Sequence, residues 1–124
     1  MKRLVQDRGL QTDVISRGIY AENGSSATEE AINTLLKLYK IDISGHSSKL
    51  LNFSDIESSD IIYVMTDNHK HLIHSTLEND VLFSKIKNFS KNDIQDPYLG
   101  NKKDYEKCAK EIHKGLLKIL KDEF

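Results

Sequence analysis

Ile61-Ile-Tyr-Val-Met65 is an unbroken apolar run of five residues, three of them β-branched. A strand with one solvated face alternates apolar and polar residues. A run without that alternation reads as a strand buried on both faces, as in a parallel sheet covered by helices. Downstream of it, Asn68 to about Leu77 reads as a helix, Phe83 to Ile86 as a weaker strand, and Asp93 to Gly100 as a turn-rich loop. The last helix, about Lys102 to Asp122, aligns Tyr105, Cys108, Ile112, Leu116 and Ile119 on one face. Upstream, Ser54 to Ser58 forms a helical turn, and Ile41 to Ser48 is a polar connection carrying His46. Before that, Ala31, Leu35 and Leu38 recur at helical spacing through Tyr39, behind Ser26-Ala-Thr-Glu29, which fits a capping box. A loop rich in Gly, Asn and Ser covers Tyr20 to Ser26, and Thr12 to Ser16 reads as a short β-branched strand ending near Gly18. Met1 to Arg8 reads as a helix closed by Gly9, with no residue ahead of it to serve as N-cap. The alternation of strands and helices predicts an α/β fold with a parallel sheet, whose function sits in the loops beyond the carboxyl ends of the strands.

The chain has 124 residues, the length of one domain, 1–124. Its 18 Lys+Arg against 19 Asp+Glu leave a formal charge of −1, which gives no overall attraction to nucleic acid or an anionic membrane. A single cysteine, Cys108, excludes an internal disulfide and a Cys-based zinc cage. No stretch approaches the ~20 apolar residues of a membrane span. The opening Met-Lys-Arg-Leu-Val-Gln-Asp-Arg is too charged to hold a signal-peptide core, so a cytoplasmic location is expected.

Three groups of residues invite chemistry. His69, His71 and His74 are close in sequence, but only the 71/74 pair shares a helix face, and it lacks a Cys or carboxylate at a zinc-site spacing; solvent-facing histidines are the better reading. Cys108 sits in the apolar stripe of the last helix with no glycine-rich turn before it and Lys114 six residues after it, so it reads as a small core residue rather than a nucleophile. No G-x-G-x-x-G, Walker loop or G-x-S-x-G elbow is present. Asp93-Ile-Gln-Asp-Pro-Tyr98 holds a loop carboxylate locked by the following proline, which suits a general acid and equally suits an ordinary turn start.

The segments Val14-Ile-Ser-Arg-Gly18, Gly24-Ser-Ser-Ala27, Ile41-Asp-Ile-Ser-Gly-His-Ser47, Asp60-Ile-Ile-Tyr-Val-Met-Thr-Asp-Asn-His-Lys70 and Asp93-Ile-Gln-Asp-Pro-Tyr98, followed by Tyr105 in a terminal helix, occur in one order. Together they resemble the low-molecular-weight protein-tyrosine-phosphatase family across essentially the whole chain. The Met-Thr-x-x-His-Lys variant resembles most the bacterial branch, which includes protein-arginine phosphatases. The resemblance implies a flavodoxin-like, three-layer fold with a four-stranded parallel sheet in the order 2-1-3-4. It implies hydrolysis of phosphate monoesters, on a phosphorylated protein or a small substrate, with no metal and no cofactor. A cysteine thiolate attacks phosphorus and a loop aspartate protonates the leaving oxygen. By match, that acid is Asp96, Tyr98 flanks the substrate's ring, and Ser16 and His46 support the phosphate loop; Arg17 replaces the usual small residue.

The family's first strand and its Cys-x5-Arg loop have no counterpart in the sequence, which starts within what resembles helix one. The expectation is that roughly 20–30 preceding residues belong to the functional protein. The chain as given is then expected to be inactive, with residues 12–16 and 61–65 flanking a gap in the sheet. Alternatives are a protein-arginine phosphatase of the same family and a non-catalytic remnant or interaction module on the same scaffold. A receiver domain is disfavoured, because only Asp67 could serve as its acceptor and no acidic pair opens the chain.

Overall fold

The computed structural model describes residues 1–20, 23–77 and 80–124. Part of the predicted loop at 20–26 lies outside them. The elements run α1 (Lys2–Asp7), α2 (Glu29–Tyr39), α3 (Phe53–Ser58), β1 (Ile62–Val64), α4 (Asp67–Thr76), α5 (Asp80–Phe83), β2 (Ile86–Asn88) and α6 (Lys102–Glu123). β1 and β2 pair in parallel, Ile62 with Ile86 and Val64 with Asn88, with α4 and α5 in the connection. The predicted α/β architecture with a parallel sheet is therefore present.

The apolar run serves both faces, as its lack of alternation requires. Val64 and Ile86 point to one side and join Ile56 of α3 and Ile73 of α4, with Ile62 and Phe83 packed around them. Tyr63 and Met65 point to the other side and pack on Phe89, Ile94 and Ile119, together with Cys108, Ile112 and Leu116 of α6. The period of two along the strand thus divides the core into two clusters with the sheet between them. α2 lies against α6, where the Thr28 hydroxyl donates to the Tyr105 hydroxyl at 3.3 Å. α6 reaches the sheet closely at Gly115, where an added Cβ would meet the Phe89 ring at 2.5 Å.

Four expectations are corrected. Residues 12–16 form no strand: among the described residues the only pairing nearby is the parallel bridge of Gly18 with Leu50, made by Gly18 N–H to Lys49 C=O and Leu51 N–H to Gly18 C=O. β-Branched composition favours an extended chain, but a strand needs a neighbour to accept its ladder. The sheet among the described residues accordingly has two strands rather than the three left by the family order. The second predicted strand moves from 83–86 to Ile86–Asn88, because Phe83 closes α5 and packs its ring on His74 at 4.1 Å. The cap of α2 is Thr28, whose Oγ1 accepts from Ala31 N–H, while Ser26 instead bridges Ser47. The helices at 1–8, 53–58, 67–76 and 102–123 stand where the spacing placed them, to within a residue or two.

Arg17, the residue that departs from the family pattern, anchors residues 16–18 to α3. Its Nε donates to Asp55 Oδ2 at 3.0 Å and its Nη1 to the Ser16 carbonyl at 2.8 Å. The same Asp55 oxygen accepts from Asn52 N–H at 3.2 Å, while the Asn52 side chain accepts from Asp55 N–H, completing a capping box. Burial pushes the Asp55 carboxyl up, but the Asn52 N–H and the Arg17 guanidinium outweigh it and hold the group below the usual carboxylate range.

Two outcomes follow from this packing. Gly115→Ala drives a methyl into the Phe89 ring and is expected to lower stability by about 1–3 kcal/mol in chemical denaturation. A carboxyl whose folded pKa lies below its unfolded value stabilises above the unfolded pKa of about 3.9, and that stabilisation is lost as pH falls through the folded pKa. Thermal midpoints measured from pH 6 to pH 2.5 should therefore fall more steeply in the parent chain than in Asp55→Asn.

Candidate active site

Where β1 and β2 end, a set of short side chains secures the following loop. Thr66 caps α4, its Oγ1 accepting from His69 N–H at 3.1 Å. Asp93 Oδ1 accepts the Asp67 N–H at 3.0 Å, and the Asp67 carboxylate accepts from Asn88 Nδ2 at 2.5 Å. Ile94, buried among Phe89 and Ile119, donates its N–H to the Met65 carbonyl at 2.9 Å. The start of the 93–100 loop is thereby fixed to the carboxyl edge of the sheet through both main chain and side chain.

The loop then closes on itself. Asp96 Oδ1 accepts Tyr98 N–H at 3.0 Å, an Asx turn reinforced by the φ that Pro97 imposes. Gly100 N–H donates to Pro97 C=O at 2.7 Å. A Cβ at Gly100 would lie 2.7 Å from that carbonyl and 2.6 Å from Asp104 Oδ2, so no other residue fits without moving the loop. Asn101 and Asp104 form the capping box that starts α6 directly behind it. Between these fixed points Leu99 is held at φ +66° and is 86% exposed. One Asp96 oxygen is thus engaged with main chain, and the other has no partner among the described residues. That leaves Asp96 able to carry a proton toward a bound group.

Asp96, Pro97 and Tyr98 form the rim of a cavity of about 410 Å³. Its walls are α2, through Ala31 and Leu35, and α6, through Tyr105, Cys108 and Ile112, with His46 on the side of the polar connection. Of the residues singled out in the sequence, Asp96, Tyr98 and His46 come together here. Ser16 does not: it is exposed, lines neither this cavity nor its neighbour, and its carbonyl is held by Arg17. A smaller cavity, about 250 Å³, shares Asp96 and is lined by Asp93, Asp104 and Glu111 with Lys107 as its one cation.

Cys108 lines both cavities. Burial pushes its thiol up, and the nearby carboxylates of Glu111 and Asp96 push it further. A nucleophilic thiolate needs cationic or N–H neighbours instead, so the site protonates the only sulfhydryl it has. His69, His71 and His74 line neither cavity: His74 packs on Phe83, and the described residues contain no group of three or more His, Cys, Asp or Glu disposed to hold a metal. Sequence reasoning missed the bracing by Thr66, Asp67, Asn88 and Asp93. Thr66-Asp67 directly after an apolar strand was a readable cap signal, whereas the approach of Asn88 depends on the strand register.

Comparison with known proteins places the chain among relatives. The profile described as low molecular weight phosphotyrosine protein phosphatase matches residues 1–123. The chain is 29% identical over 125 residues to the protein-arginine-phosphatase of Bacillus subtilis (strain 168), covering 97% of this chain and 81% of that one. Among solved structures it superposes on a low-molecular-weight protein tyrosine phosphatase from T. tengcongensis with a TM-score of 0.89 at 28% identity, covering 96% and 83% of the two chains. It superposes on the YwlE arginine phosphatase from Geobacillus stearothermophilus with a TM-score of 0.80 at 25% identity, covering 97% and 82%. Among the described residues no helix is long and apolar enough to cross a membrane.

The geometry of the loop yields a stability test. Leu99 sits in the left-handed region with its side chain in solvent, so Leu99→Gly relieves a Cβ penalty without loss of packing. Urea unfolding should show the variant more stable by up to ~1 kcal/mol.

Proposed function

The chain belongs to the low-molecular-weight phosphotyrosine protein phosphatase family, and on that premise we propose that its site serves phosphate-monoester hydrolysis with Asp96 as general acid. The observation that carries this reading is the meeting of Asp96, Tyr98 and His46 on one cavity, with Asp96 held in an Asx turn by Tyr98 N–H. In the first half-reaction a thiolate attacks phosphorus. The bond to the leaving oxygen breaks, and the Asp96 hydroxyl delivers its proton to that oxygen. In the second, the Asp96 carboxylate takes a proton from the water that displaces the enzyme's sulfur, releasing phosphate and regenerating both groups.

Cys108 does not fit the nucleophile's part, because burial and the carboxylates of Glu111 and Asp96 keep it protonated. In this reading the thiolate and the N–H cradle for the transition state come from a strand and loop outside the 124 residues. His46 supports that loop from the cavity wall, and Ser16 supports it from the flank of residues 12–16. The 124-residue chain by itself is inactive, and the whole of it acts as one domain.

Tyr98, 64% exposed at the rim, can stack on a phenyl ring and favours phosphotyrosine. A second reading, phosphoarginine, is favoured by the carboxylates of Asp93, Asp104 and Glu111 beside Asp96, which suit a guanidinium leaving group; the Bacillus relative's name points the same way.

Two assays test the proposal. The purified chain under reducing conditions should hydrolyse p-nitrophenyl phosphate no faster than Cys108→Ser; turnover that disappears in that variant would overturn the assignment of the nucleophile. A chimera that adds the residues of the Bacillus relative outside the aligned stretch, at the place they hold there, should gain turnover. Asp96→Ala should then lower its kcat by about 10²–10⁴-fold. A folded chimera without turnover would leave the scaffold as a non-catalytic module.

A further inference from the structure

The outer face of α6 carries a stripe of a single charge. Lys103, Lys107, Lys110, Lys114, Lys118 and Lys121 follow at intervals of four, three, four, four and three residues, and all six are exposed. At 3.6 residues per turn these intervals hold the six within an arc of about 80°. The arc lies opposite Tyr105, Ala109, Ile119 and Leu120, the residues that α6 buries. Along the helix the stripe runs about 27 Å. No carboxylate lies on it: Glu106 stands beyond one edge, and Asp104, Glu111 and Asp122 stand beyond the other.

A helix face that serves solubility alone mixes its signs, because Glu and Lys four residues apart stabilise each other. Here each successive pair is like-charged at three or four residues, an arrangement that costs helix stability. Among the described residues only one of the six lysines has an ion pair, Lys107 with Glu111 at 3.9 Å. The nearby Glu106 and Glu123 are taken by Lys37 at 3.2 Å and Lys87 at 3.3 Å. The whole chain has 18 Lys+Arg against 19 Asp+Glu, so the stripe is a segregation of charge and not an overall excess. Lys107 also lines the cavity of about 250 Å³ that contains Asp96, so the stripe meets the candidate active site near its amino end.

We propose that the lysine stripe of α6 docks an acidic, extended segment of a protein substrate, next to the phosphorylated residue that enters the cavity. The docking itself is independent of the phosphatase reading; that the docked protein is the substrate rests on it. The width of the stripe selects this occupant. It is narrow and bordered by carboxylates, so a flat anionic bilayer or a nucleic-acid duplex laid on it would also press on Glu106, Glu111 and Asp122. A single extended strand stays between those borders. At about 3.3 Å per residue, a length of about 27 Å takes about eight residues. Lysine, a point charge without the planar fork of arginine, suits carboxylates in loose register more than one fixed geometry. Complementary charge of this kind also speeds encounter and orients the arriving chain.

The probe is a fluorescein-labelled octaglutamate peptide, titrated into the full 124-residue chain and followed by anisotropy. The combined variant Lys110→Gln, Lys114→Gln, Lys118→Gln keeps good helix formers at exposed positions and should bind the peptide about tenfold more weakly. The same change at Lys2, Lys49 and Lys91, exposed lysines outside α6, should alter binding by less than about twofold. No loss in the first variant, or equal loss in both, would overturn the proposal. Tighter binding of phosphatidylserine vesicles or of duplex RNA, with the same dependence on the stripe, would overturn it in favour of a membrane or a nucleic acid. In the chimera carrying the Bacillus residues, a phosphotyrosine peptide with a glutamate tail should show a kcat/KM about tenfold above its neutral-tailed counterpart. The three substitutions on the stripe should remove that difference, and a difference that survives them would overturn docking of the substrate. Octaglutamate binding by a chimera that fails to hydrolyse p-nitrophenyl phosphate would leave the dock standing and count against the catalytic reading.

Discussion

The parallel ladder between Ile62–Val64 and Ile86–Asn88 is the contact on which the rest of the structure depends. It is only three residues long on each side, yet its pleat decides where every large apolar group goes. Ile62 and Val64 face α3, α4 and α5, and Tyr63 and Met65 face α6. Because both strands run the same way, both end at one edge, and the residues after each of them, Thr66-Asp67 and Phe89 onward, leave side by side. That common exit is what lets Asp93 reach the first amide of α4 and Ile94 reach the end of β1. Reversing one strand would send the 93–100 loop to the far side of the molecule.

From that edge to Asp96 the constraints are local and redundant. Asp93 fixes the loop's beginning, the Asx turn and Pro97 its middle, and Gly100 with the Asn101 capping box its end. For the general-acid role proposed for Asp96, in which the proton must lie along the line of the breaking bond, a loop with little freedom is a chemical asset. Leu99 carries the cost of the tight closure in its left-handed backbone. Cys108, by contrast, is raised in pKa by burial first and then by the carboxylates of Glu111 and Asp96, which protonates the thiol rather than activating it.

Much of this was legible in the amino-acid order. The unbroken run at 61–65 revealed a two-sided strand, and the spacing of Tyr105, Cys108, Ile112 and Leu116 revealed the helix that covers one face. Asp96-Pro-Tyr98 was recognisable as a braced carboxylate because proline's restriction is written in the residue itself. What failed had a common physical origin. Residues 12–16 have strand composition, but pairing depends on a neighbour that local sequence does not report. The shift of the second strand to Ile86–Asn88 turned on Phe83 being taken by His74, a tertiary contact. Ser16, matched by motif, lies exposed beside Arg17 and lines neither cavity.

The position of β1 and β2 in the chain has a kinetic meaning as well. Ile62 and Ile86 are 24 residues apart, and most of the intervening segment is helix that packs on the strands it joins. Closing so short a loop costs little chain entropy, and α4 can form before the strands meet. Residues 56–86 therefore constitute a unit able to assemble early, while the opposite face must wait for α6, whose Tyr105 and Ile119 come from the far end of the chain. During that interval Tyr63, Met65 and Phe89 would stand uncovered, which makes the docking of α6 the step at which the chain is most exposed to aggregation.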